Sequence, residues 1–149
     1  MTYFSNGELP LEGSCVSPIT LLTTDYLNHF NEPVMMLQMA PDIPEVVDDL
    51  RAWRPRSYVE HFQASGIADR DLAIAAYQRS PVEYRTPFDD TVAELSHEIR
   101  AAVAAISEHG AATQELHAAI NRCQSLISRA AAIANGTGLR QDDIDSLFD

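Results

Sequence analysis

The sequence predicts an all-α fold, a helical bundle built around a long C-terminal antiparallel hairpin. Three observations lead there. Phe88, Val92, Leu95, Ile99, Val103 and Ile106 step by three or four, as do Leu116, Ile120, Cys123, Ile127, Ala130 and Ala134. Each set is one face of a helix of 3.6-residue period. Pro and Gly breakers cut the first half into short amphipathic pieces, and no β-branched alternation or hairpin dipeptide marks a strand.

The elements follow in order. Residues 1–16 contain Gly7, Pro10 and Gly13 and no periodicity, so an irregular leader is expected. Ser17-Pro18 has the form of an N-cap followed by Pro at the first helical position. Ile19, Leu22, Tyr26, Phe30, Val34 and Leu37 then lie on one helical face, with Pro33 expected to kink the helix near His29 or split it. Asp42 or Pro44 can start a short helix carrying Val46, Val47, Leu50 and Trp53, ended by Arg54-Pro55. Tyr58, Val59 and Phe62 mark another, closed by Ser65-Gly66. Asp69 can cap a third, with Leu72, Ile74, Ala76 and Tyr77, stopped by Ser80-Pro81. The two long helices fall at about 87–108 and 112–134. The connection through Gly110 is short enough to force an antiparallel hairpin, and Asn135-Gly136 supplies a C-cap. The organisation is a leader over 1–16, a helical domain over 17–136 and a flexible acidic tail over 137–149.

The chain has 149 residues and a net charge of −12, and its ten bases are all Arg. Residues 1–50 hold eight acids and no base. Such a segment repels phosphate backbones and anionic lipids, so neither nucleic acid nor a membrane is the expected partner. The N-terminal residues lack the basic and apolar regions of a signal peptide, and no long apolar run predicts a membrane span. Two cysteines, Cys15 and Cys123, make no disulfide framework, and a cytoplasmic setting is expected. Nothing in the sequence implies a cofactor.

Candidate chemistry is sparse. Glu94 and His97 have the Glu-x-x-His spacing of di-iron bundles, but His97 lies about 200° from Leu95 around the helix and faces solvent. His29, beside Tyr26 and Pro33, and His61, beside Tyr58 and Phe62, are the remaining candidates for a metal-binding bundle; a hydrogen-bonded boundary histidine is the commoner outcome. Cys123 falls on the apolar stripe and reads as a core residue. Arg51, Trp53, Arg54 and Arg56 form the single basic and aromatic cluster. Trp with Arg is the chemistry of protein interfaces, while Trp53 as a core anchor is the competing expectation. The hairpin leaves a homodimer open as a further expectation.

The last residues carry the clearest functional signal. Ile144, Leu147 and Phe148 are spaced i, i+3, i+4, with Asp142, Asp143, Asp145 and Asp149 around them, after the spacer Gly136-Thr137-Gly138. A helix formed there presents one apolar edge, too small to fold alone and suited to a partner's groove with a basic rim. Gln141, Asp142, Asp143, Ile144, Asp145, Ser146, Leu147 and Phe148 resemble the N-terminal peptide of the flagellar motor switch protein and the C-terminal peptide of the chemotaxis phosphatase. Both families bind a receiver-domain response regulator through that peptide. The resemblance covers eight residues of 149 and implies a non-catalytic adaptor in bacterial signalling. The phosphatase family also places an acid and a Gln four positions apart to orient the attacking water. Neither long helix here has Asp-x-x-x-Gln, which leaves Gln114, Glu115 and Gln124 as weak candidates for a phosphatase. The segment from Ile144 to Phe148 is also similar to the peptides that dock on bacterial sliding clamps, although Gln141 is not at that motif's spacing.

Overall fold

The computed structural model describes residues 9–136, so every residue of the predicted recognition segment lies outside the described residues. The described residues form six α-helices and contain no strand: α1 Asn28–Met39, α2 Val46–Ala52, α3 Tyr58–Gln63, α4 Arg70–Arg79, α5 Val82–His109 and α6 Gln114–Asn135. The all-α reading holds.

The hairpin of α5 and α6 is the frame. Gly110 turns the chain at φ 82°, and Thr113 caps α6 by accepting the Leu116 N–H at 3.1 Å. Phe88, Leu95, Ile99 and Ile106 of α5 meet Leu116, Ile120, Cys123 and Ile133 of α6 in the core. The α1 helix packs across both, through Phe30, Val34 and Leu37. Leu50 anchors α2 against α1 and α5. The α3 and α4 helices pair with each other, burying Phe62, Leu72, Ala73 and Ala76. The α3 helix opens on a capping box: Ser57 Oγ accepts the Glu60 N–H, and the Glu60 carboxylate accepts the Ser57 N–H.

Two boundaries differ from expectation. The helix expected from Pro18 begins only at Asn28, after a 3₁₀ turn over Thr24–Leu27. Side chains between Ser17 and Thr23 bind backbone instead of letting the helix start. Ser17 Oγ accepts from Ile19 and Thr20, and the Thr20 hydroxyl donates to the Ala134 carbonyl at the end of α6. Leu21 adopts φ 60°, and Ile19, expected on the apolar face, is 57% exposed. Pro33 therefore falls in the second turn of α1, which runs through it without splitting.

The second difference is α5, which starts at Val82 rather than near residue 87. Ser80 and Pro81 are extended, and the helix begins directly after them. Pro87 is accommodated because the carbonyl it leaves without a donor belongs to exposed Glu83. Residues 9–16 of the leader form no helix or strand, yet they pack against the domain. Val16 is buried, Leu9 and Leu11 pack on the core, and a turn closes where Leu11 O accepts from the Ser14 N–H and hydroxyl. Asp69 stands at the N-cap of α4 but its side chain makes no capping bond, and α2 begins at Val46 after Glu45.

Candidate functional site

The basic and aromatic cluster forms where α2 ends. Trp53 leaves the helix with ψ 137°, because Arg54-Pro55 cannot continue it. Its indole lies over His29 of α1, with ring centroids 5.0 Å apart and 27° between planes, and meets Phe30 edge-on at 5.9 Å. Trp53 is therefore part anchor, as the competing expectation held, and part surface. Its Nε1 is buried and is the only buried side-chain polar atom among the described residues with no hydrogen-bond partner. An orphaned donor of this kind costs about 1–3 kcal/mol.

The arginines divide. Arg51 and Arg54 line a pocket of about 230 Å³ whose floor is Leu50, Trp53, Val103 and Ala104. Arg100 of α5 completes its rim. Arg51 is held by Asp48, at 3.3 Å, and by Ser107 Oγ, at 3.2 Å. One Arg54 nitrogen, Nη1, donates to the carbonyls of Arg51 and Trp53, at 2.7 and 2.9 Å, closing the C-terminus of α2. Arg56 does not line the pocket. Its backbone N–H donates to His29 Nε2 at 3.0 Å, and its carbonyl accepts the Tyr26 hydroxyl. Arg100 was not among the residues singled out from sequence, because only the packing of α2 on α5 brings it to Trp53.

The candidate metal residues His29 and His61 do converge, with ring centroids 6.3 Å apart. Their Nε2 atoms are engaged elsewhere. His29 Nε2 also lies 3.1 Å from the Arg54 carbonyl, and His61 Nε2 lies 3.2 Å from Asp25 Oδ2. No group of three His, Cys, Asp or Glu placed to hold a metal occurs among the described residues. Burial lowers the His29 pKa below the ordinary imidazole value, and the Arg56 charge adds to this while the Arg54 carbonyl opposes it. The pair belongs to an aromatic seam with Tyr26, Phe30 and Tyr58, continued by Tyr77 stacked on Tyr58 at 4.3 Å. The Tyr77 hydroxyl donates to Asp89, and burial raises its pKa to about 12.

The weak catalytic candidates also divide. Gln114 and Gln124 line an open groove of about 790 Å³, together with His117 and Asn121 of α6 and Gln38 at the end of α1. Glu115 lines a different depression, between α5 and α6, beside the Glu98–Arg122 ion pair. Glu94 and His97 are exposed. Cys123 is fully buried, and desolvation pushes its thiol up to about 11. Gln141, Asp142, Asp143, Ile144, Asp145, Leu147 and Phe148 lie outside the described residues. Among the described residues no helix is long and apolar enough to cross a membrane.

No family model, no curated protein and no solved structure matches the chain.

Proposed function

We propose that the chain is a non-catalytic adaptor or regulator of bacterial signalling, acting in the cytoplasm, that binds a receiver-domain protein through residues 141–148. One observation carries the reading. After α6 closes at Gly136, the sequence continues with Gln141, acids, Ile144, Asp145, Leu147 and Phe148, a pattern that resembles receiver-binding peptides. The three apolar residues would enter the partner's groove and the Asp residues would meet its basic rim. Peptide interfaces of this size are commonly micromolar, about −8 kcal/mol. Titration of the full chain into receiver-domain proteins, with and without a phosphoryl mimic, tests it. Micromolar binding that Phe148→Ala weakens at least tenfold supports the reading. Binding that Phe148→Ala leaves unchanged, or none to any receiver, removes it.

The groove of Gln38, Gln114, Asn121 and Gln124 favours a second reading, a phosphatase for the same partner. Carboxamides can orient a water for in-line attack on a phosphoryl group. Faster receiver dephosphorylation on adding the chain, lost in Gln124→Ala, supports it. An unchanged rate despite demonstrated binding leaves the adaptor alone.

A further inference from the structure

Five large apolar side chains stand exposed among the described residues: Ile19, Met35, Met39, Ile43 and Val82. Three of them share one stripe. Met35 and Met39, 59% and 39% exposed, lie one turn apart on α1, turned away from the Phe30, Val34 and Leu37 face in the core. The helix ends at Met39, yet the Ile43 N–H still donates to the Met39 carbonyl at 2.8 Å. Ile43, 41% exposed, therefore stands a further turn along. We propose that this stripe is a docking surface for a cationic amphipathic helix of a partner protein, one with Arg or Lys flanking an apolar ridge. The inference does not depend on the receiver reading, which concerns residues 141–148.

Residue type argues for contact. Apolar side chains scattered singly over a surface are ordinary, whereas contiguous ones mark interaction sites. Met35, Met36 and Met39 are three of the chain's four methionines, and flexible thioethers suit a surface that must fit a partner's side chains. Shape selects a helix. From Met35 to Ile43 the stripe runs eight residues, or about 12 Å at the helical rise. That length accepts residues i, i+4 and i+7 of a second helix laid along it.

Charge selects the sign of the occupant. Residues 28–49 hold five acids, all exposed, and no Arg. Glu32 precedes Met35 by three positions and is its neighbour on the helix, while Asp42 and Glu45 flank Ile43. None of these three carboxylates has an ion-pair partner among the described residues. Unneutralised carboxylates beside an apolar stripe attract a cationic ligand and orient it. The same charges turn other occupants away. Nucleic acid and anionic lipid are repelled. The chain's own residues 139–149 carry four Asp against one Arg and are repelled as well. Two copies meeting through this face on a twofold axis would set Glu32, Asp42 and Glu45 against themselves.

The probe is a synthetic peptide of about 14 residues with Leu at i, i+3, i+4 and i+7 and Lys elsewhere. It is titrated into the full chain carrying isotope-labelled methionine methyl groups. The expected result is micromolar binding that moves the Met35 and Met39 resonances. Met35→Gln with Met39→Gln changes no charge and should weaken binding at least tenfold. Glu32→Gln, Asp42→Asn and Glu45→Gln together should weaken it by a similar factor. Neutralising exposed Glu83, Asp90 and Glu94, in the first half of α5, should weaken it far less. Ile43→Gln, beyond the end of α1, replaces the methionine pair if circular dichroism shows those variants misfolded. No binding overturns the proposal. So does binding that ignores the stripe variants, or that falls equally with the remote acids, which is charge attraction alone. Self-association of the chain that the stripe variants abolish would put a second copy on this face and overturn the cationic-helix assignment.

Discussion

Trp53 and His29, twenty-four residues apart in sequence, stack at 5.0 Å and join the end of α2 to the start of α1. The stack is oriented by backbone. His29 Nε2 accepts the Arg56 N–H at 3.0 Å, just past the residue where Trp53 leaves its helix. One imidazole thereby fixes both the indole and the strand of chain carrying the arginines.

This arrangement is pH-dependent. The bond from Arg56 needs an unprotonated Nε2, and burial lowers the His29 pKa below its ordinary value of about 6.5. An unfolded imidazole takes up a proton more readily than the folded one, so stability rises with pH across this range. The contribution is complete above about pH 6.5 and is lost as pH falls through the folded value. Chemical denaturation at several pH values should show a steeper acid loss for the wild type than for His29→Gln, whose amide oxygen still accepts from Arg56. Parallel curves would show that His29 is not the group responsible.

Trp53 should tolerate one substitution and not another. Trp53→Phe removes the orphaned Nε1–H while keeping an aromatic ring over His29. Its stability is expected within about 1 kcal/mol of wild type, because the lost area is offset by the removed desolvation cost. Trp53→Ala is expected to cost about 3 kcal/mol. Denaturation followed by far-UV circular dichroism measures both, since Trp53 is the sole tryptophan and its fluorescence is lost in either variant.

The three arginines nearest Trp53 in sequence should separate in stability. Arg54 closes the end of α2 through two carbonyls, so Arg54→Gln should cost about 1 kcal/mol. Arg51 and Arg56 are exposed, and Arg51→Gln and Arg56→Gln should each stay within about 0.5 kcal/mol of wild type. Equal losses in all three would contradict the capping role of Arg54.

The two thiols should react at very different rates. Cys15 is exposed, while Cys123 is fully buried with its thiol pushed up to about 11. Only the thiolate attacks, and only where reagent can reach it. A disulfide reagent should therefore modify one thiol quickly in the native protein and both in denaturant, and Cys15→Ser should abolish the fast phase. A fast phase that survives in Cys15→Ser would place Cys123 at an accessible surface.

The long helices were legible in the sequence because their cores are local patterns. Leu95, Ile99 and Ile106 face Leu116, Ile120 and Cys123 as their spacing requires. The segment after Ser17 was not legible, since what stops a helix there is Thr20 bonding to Ala134, 114 positions away. The start of α5 was hidden by Pro87, which reads as a first-turn proline when the exposure of the Glu83 carbonyl is unknown. The Arg51–Trp53–Arg54 run was visible, but its third basic member is Arg100 rather than Arg56, and only tertiary packing makes that exchange.

Gly136 tests how the end of α6 is held. It adopts φ +70°, and a Cβ there would come within 3.2 Å of Ile19 Cγ2 and 3.3 Å of Thr20 Cγ2. Ile19 is 57% exposed and can give way. Thr20 cannot, because its hydroxyl bonds the Ala134 carbonyl and its own carbonyl accepts the Ser80 hydroxyl at 2.6 Å. Gly136→Ala should therefore cost the left-handed backbone penalty of about 1 kcal/mol plus a further fraction from the Thr20 contact. Thr20→Val should cost more, about 1–3 kcal/mol, by leaving the buried Ala134 carbonyl without that donor. If the two effects act on one joint, the double variant should lose less than the sum of the single losses. Strict additivity in a thermal or urea denaturation cycle would show that the cap and the Thr20 bond hold the helix end independently.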